Sequence, residues 1–192
     1  MYRVIALVIV VSLSMGIVPS AGASASKLSN ELLSINQMPI GWSVVHLAGS
    51  GSVSGCISAQ VGPKPSTKST VIFADGGGLP ELYEGLASYG STSVATIQNG
   101  LHKKIEALDH CQRVTTSGKK TTVHIGRMSF PRFGNQSAAY VFTATTNGVN
   151  AELDVLVARV GKIVAVVMEA DISPVNVSQF QGFVVQALAK MK

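Results

Sequence analysis

The sequence predicts an α+β fold: an antiparallel β-sheet with packed α-helices, in a single domain after a signal peptide. Three observations carry this. Two stretches, Ser93 to His110 and the C-terminal stretch from Ser173, repeat apolar residues at steps of three and four. Strand-like runs are joined by tight-turn pairs such as Asn147 with Gly148. No internal repeat or linker divides the 192 residues, so one domain is expected.

The chain begins as a secretory signal does. Arg3 precedes an apolar run from Val4 to Val18, and Ala21, Gly22, Ala23, Ser24 and Ala25 supply small residues for cleavage. The run is about fifteen residues, short of the roughly twenty needed to cross a bilayer. Residues 1–25 are therefore expected to be removed, leaving 26–192 as a released domain without a lasting membrane anchor. That length can bury a sizeable core.

Ser26 to Gln37 predicts a short helix through Leu28, Leu32 and Ile35, stopped by Pro39. Ser43 to Leu47 reads as a strand, followed by a Gly- and Ser-rich run to Gly55 and a Pro- and Lys-rich loop to Ser69. Thr70 to Ala74 is strand-like, and a turn runs from Asp75 to Gly78. Leu79 to Tyr89 predicts a second short helix, opened by Pro80. Ser91 or Thr92 is the expected cap of the central helix, whose stripe is Val94, Ile97, Leu101, Ile105, Leu108 and Cys111.

Thr121 to Arg127 and Ala138 to Thr145 follow as strands. Leu153, Val155 and Val157 alternate as in a strand with one covered face. Gly161 and Lys162 turn the chain into Ile163 to Met168, a continuous apolar run suited to burial on both faces. Ser173 and Pro174 open the last helix, with Val177, Phe180, Val184, Ala187, Leu188 and Met191 on its apolar side.

The formal charge is +5, and loss of Arg3 with the signal makes it +4. The basic residues are scattered apart from Lys103 with Lys104 and Lys119 with Lys120. A nucleic-acid interface needs a dense basic stripe with interleaved aromatics, so nucleic acid is excluded as the partner. Cys56 and Cys111 are the only cysteines. In an exported chain they read as a structural disulfide. It closes an interval of about 54 residues, worth roughly 4 kcal/mol by chain entropy. Their spacing lacks the Cys-x-x-Cys of a redox centre, and a zinc site would need two further ligands.

No catalytic constellation emerges. His46, His102, His110 and His124 are spread along the chain, and no Gly-x-Ser-x-Gly elbow accompanies the serines. Glu152 with Asp154, and Glu169 with Asp171, are spaced by two, so each pair shares one face of a strand. Such pairs can hold a hard cation or act as acid and base; a solvated strand face is the preferred reading. Gly49 to Gly51 and Gly76 to Gly78 lack the following Lys of a phosphate loop and read as connections.

Several segments resemble exported actinobacterial proteins. Leu32 and Leu33 followed by Met38, Pro39, Ile40, Gly41 and Trp42 match an opening of the LL…LPxGW kind. The runs Leu79 to Glu84, Ala107 to Cys111, Ser137 to Tyr140 and Asp154 to Gly161 continue the match over most of the mature chain. In these the sequence is similar to the PknH-like extracellular sensor domains and to the LpqN-type lipoproteins of mycobacteria. The resemblance implies an antiparallel α+β fold with a ligand-binding groove, and it brings no catalytic residues. Two departures stand out: the lipid-anchor cysteine of many relatives is missing, and one disulfide is possible where the kinase sensor type has two.

The expectation is a secreted, monomeric, non-enzymatic domain. It would bind a small or lipidic cell-envelope ligand or a partner protein, with no cofactor and no metal. Trp42, Tyr83, Tyr89 and Phe133 are the candidate ligand-binding residues. The alternatives are an envelope hydrolase, which needs a histidine brought to a serine or carboxylate in a pocket, and a structural or adhesive protein with an exposed apolar patch.

Overall fold

The computed structural model describes residues 27–46, 62–76, 78–111, 113–115, 122–146, 148–172 and 174–191. The expected signal, the Gly- and Ser-rich run and Cys56 lie outside them. Among the described residues eight strands form one sheet: β1 (Trp42–Val44), β2 (Thr67–Asp75), β3 (Glu81–Ser88), β4 (Arg113–Thr115), β5 (Thr122–Arg127), β6 (Gln136–Thr146), β7 (Val149–Val160) and β8 (Ile163–Asp171). Their order is β1-β2-β3-β8-β7-β6-β5-β4, and every neighbouring pair is antiparallel. The two long helices among the described residues are α1 (Val94–Asp109) and α2 (Val177–Lys190).

The helices lie on opposite faces of the sheet, and strand parity shows it. Along β7, Leu153, Val155 and Val157 belong to the core beneath α1, with Ile97, Leu101, Ile105 and Leu108. Leu156 and Ala158, one residue out of step, belong to the core beneath α2, with Phe180, Phe183, Val184 and Ala187. A third cluster joins Leu28, Leu32, Leu86, Ala165 and Met191. The sequence reading of β7 as covered on one face is thereby corrected; it is buried on both, as is β8. Turn chemistry places both hairpins as expected: Thr146 pairs with Val149, and Val160 with Ile163, with Gly148 and Gly161 at positive φ.

Two expected helices are absent. Leu79 to Tyr89 is not a helix; it contains β3, hydrogen-bonded between β2 and β8. Its Leu82, Leu86 and Ala87 fit either a helical or an extended pattern, and pairing on both sides decides the contest over local propensity. Ser26 to Gln37 yields only a helical turn at Lys27–Ser29 and a 3-10 turn at Ile35–Gln37. Between them the backbone serves tertiary partners: the Leu33 N–H donates to Glu84 Oε2 at 2.6 Å, and Lys190 Nζ donates to the Leu32 carbonyl. The α1 cap is Ser93, whose Oγ accepts from the Thr96 N–H at 3.1 Å, in place of Ser91 or Thr92. Likewise α2 starts three residues beyond Pro174, capped by Asn176.

Candidate functional site

The sheet face beneath α2 carries four carboxyls on its two central strands. Register sets Asp154 directly opposite Glu169, and Glu152 opposite Asp171. All four share one face, because members two apart on a strand point the same way. The expectation of a solvated strand face fails here: Asp154 is 0% exposed and Glu169 2%. The flanking residues explain the burial. Leu153, Val155, Leu156, Val167 and Met168 fill both faces of these strands, and α2 packs across them.

Neither oxygen of Asp154 has a hydrogen-bond partner among the described residues, nor has Glu169 Oε2. Removal from water disfavours the charged form of each. Burial, reinforced by the neighbouring Glu152, pushes the Asp154 carboxyl up to about 7. Burial, with Asp154 and Asp171 adding like charge, pushes Glu169 up to about 8. Glu152 is tied down differently: its Oε1 accepts from the Val175 N–H at 3.0 Å, fixing the chain that leads into α2. No group of three or more His, Cys, Asp or Glu is arranged to hold a metal ion among the described residues.

A third buried carboxyl on this face, Glu84 of β3, is 0% exposed. Burial raises it to about 7, opposed by the Leu33 N–H and by Lys190. Glu84 and Lys190 together hold the Leu32–Leu33 backbone, and Lys190 also reaches Gln37 Oε1 at 3.3 Å.

Beneath α1 the polar chemistry is a brace. Arg127 Nη1 contacts both Asp109 oxygens, at 2.6 and 2.7 Å, and its guanidinium lies 5.4 Å from the Tyr140 ring centre. The buried Tyr140 hydroxyl sits between the Ile105 carbonyl, at 3.1 Å, and Asp109 Oδ1, at 2.9 Å. Burial works against the charge on Asp109, but the hydrogen bonds from Arg127 and Tyr140 outweigh it and hold the carboxyl below its ordinary value.

The four candidate ligand-binding residues divide between the faces. Trp42 packs on Phe183 of α2, with ring centres 5.4 Å apart. Phe133 joins the same core through Phe130, which in turn meets Phe180. Tyr83 and Tyr89 pack against the core beneath α1, and burial raises both phenols. The histidines are dispersed: His46 beyond β1, His102 and His110 at α1, His124 on β5. His102 lies 3.2 Å from Glu106, one turn away on the exposed surface of α1. Cys111 is 2% exposed at the end of α1, and no free cysteine occurs among the described residues.

The sequence shows Glu152, Asp154, Glu169 and Asp171 as pairs, but the reading as a solvated face fails for Asp154 and Glu169, while Glu152 and Asp171 stay half-exposed. The signal for burial is local: Asp154 interrupts Leu153 and Val155, and Glu169 ends the apolar run from Ile163. The Asp109–Arg127–Tyr140 brace had no such signal, because its members are brought together only by the packing of α1 on β5 and β6.

No family model and no curated protein sequence matches the chain. Among solved structures, it is similar to the crystal structure of the extracellular domain of PknH from Mycobacterium tuberculosis. The TM-score is 0.58 at 12% identity, and the match covers 91% of this chain and 100% of that one. The chain has a PknH-like α+β fold, and nothing in the comparisons favours an LpqN-type lipoprotein.

Proposed function

We propose that this chain is an exported, non-catalytic domain that recognises a small or lipidic cell-envelope ligand or a partner protein. The observation that carries the reading is the likeness, over nearly the whole chain, to a domain that is extracellular in its own protein. The leader pattern of residues 1–25 supports the same destination. No helix among the described residues is long and apolar enough to cross a membrane. The scattered histidines give an envelope hydrolase no support.

Fractionation and native mass spectrometry of protein purified from its own host test the proposal together. The expected result is a chain shortened by about 25 residues, found outside the cytoplasm, with a retained ligand or a co-purified envelope partner. A full-length chain in the cytoplasm sinks the export half, and a bare chain with no partner sinks the recognition half. The reading includes a Cys56–Cys111 disulfide as a brace for the exported fold. A peptide map without reductant should contain the crosslinked peptide, and two alkylated cysteines would reject it.

A further inference from the structure

The strongest unused feature of the molecule is the carboxyl ladder beneath α2. Asp154 and Glu169 face each other across the centre of the sheet, with Cβ atoms about 5 Å apart by the geometry of direct cross-strand pairs. They are almost fully buried, and three of their four oxygens lack a hydrogen-bond partner among the described residues. A buried polar group without a partner persists only where it is neutral or serves a purpose. We propose that this pair is a proton-dependent fastener: α2 and its lead-in close over the sheet while Asp154 and Glu169 are protonated, and loosen when they ionise.

Among the described residues, the surroundings offer no cation to share an ionised pair. Along the same face lie Glu152 and Asp171, which add negative charge. Thr143 and then the exposed His124 follow in register on β6 and β5. On β3, Glu84 is acidic and is engaged by the Leu33 N–H. The only charged residue of α2 is Lys190, at its far end, committed to Leu32 and Gln37 and placed beside Glu84. In the segment 128–135 the only charge is Arg132, which is exposed, and Ile172, Pro174, Val175 and Asn176 carry none. Arg159 is buried but belongs to the opposite face, where its Nη1 donates to the Gly161 carbonyl at 2.9 Å.

The topology decides which element gives way. β7 and β8 are hydrogen-bonded to strands on both sides and cannot part without breaking the sheet. By contrast α2 is held at its C-terminal end by Lys190, bonded to Leu32 and Gln37, while its N-terminal half rests on side-chain packing, its cap and the bond from the Val175 N–H to Glu152. The least costly way to bring water to a charged pair is to lift the N-terminal half of α2. The elevated proton affinities of both carboxyls place that change near neutral pH.

Amide hydrogen exchange of the mature chain, corrected for the intrinsic pH dependence of exchange, tests this. Protection of residues 177–184 should fall at least about tenfold between about pH 6 and pH 9, a pKa unit being a tenfold change, while β7 and β8 stay protected. In the isosteric double variant Asp154→Asn with Glu169→Gln, most of this pH-dependent loss should disappear, leaving the smaller part that Glu84 contributes. Equal wild-type protection at both pH values, or the same loss in the variant, overturns the proposal. Should the double variant not fold, carboxyl carbon NMR of the wild-type chain decides. Two carboxyls titrating near neutrality on β7 and β8 uphold the fastener, and ordinary titration of both rejects it.

Discussion

Two glycines show how a single β-carbon separates strain from free stabilisation. Gly134 sits at φ +60, and a Cβ there would lie 2.4 Å from the Arg159 carbonyl oxygen. The neighbouring Asn135 explains the close approach: its N–H donates to that same carbonyl at 2.8 Å, and its Oδ1 accepts from the Gly161 N–H at 2.8 Å. Gly134→Ala therefore meets backbone, which cannot move aside, in a conformation that disfavours any side chain. It should cost about 1–3 kcal/mol. Gly182, in the middle of α2, is the opposite case, with nothing within 4 Å of an added Cβ. Gly182→Ala removes the helix penalty of glycine and should stabilise by about 0.5–1 kcal/mol. Urea unfolding of the two variants against the parent checks both signs. A neutral Gly134→Ala would mean that the β6 entrance is not pinned as described.

At the scale of elements, α2 depends on a cap that the local sequence disguises. Asn176 Oδ1 accepts from the Ser178 and Gln179 N–H groups, at 3.1 and 3.2 Å. Asn176→Ala should destabilise by about 1 kcal/mol, read as a lower denaturation midpoint with unchanged slope; an unchanged midpoint would show the cap to be idle. Ser173 and Pro174 matched a helix start by residue type, but Val175 is buried and spends its N–H on Glu152. Such tertiary claims on the backbone mark the limit of what the sequence discloses. The stripe of α1, both tight hairpin turns and the doubly buried β8 were legible, because periodicity and turn chemistry are local. β3 was not, since Leu82, Leu86 and Ala87 satisfy two periods and only the partners β2 and β8 choose between them. The carboxyl pairs were legible as pairs and the apolar neighbours of Asp154 and Glu169 hint at burial, but the cover itself, α2, arrives from the end of the chain.

For the whole molecule, the three buried carboxyls on the α2 face set the pH dependence of stability. In the unfolded chain Asp154, Glu84 and Glu169 ionise near the ordinary values of 3.8 and 4.5; in the fold, chiefly through burial, they hold protons to about 7, 7 and 8. Between those limits the folded state binds more protons than the unfolded state, so stability must fall as pH rises. Their contribution is full below about pH 4 and is lost progressively up to about pH 8. Asp109 works in the other direction, since its carboxyl is held low by Arg127 and Tyr140 and its contribution is lost in acid. Its side chain is 35% exposed, which limits its weight against three buried groups. Thermal unfolding should therefore show a maximum near about pH 5 and a decline toward about pH 8, opposite to a protein stabilised by surface carboxylates. Glu169→Gln keeps the shape but cannot ionise, so its curve should be flatter over that window and lie above the parent at the alkaline end. A melting temperature that climbs from pH 5 to 8 in the parent would mean that these carboxyls are solvated, and would remove the physical basis for assigning the α2 face any response to protons.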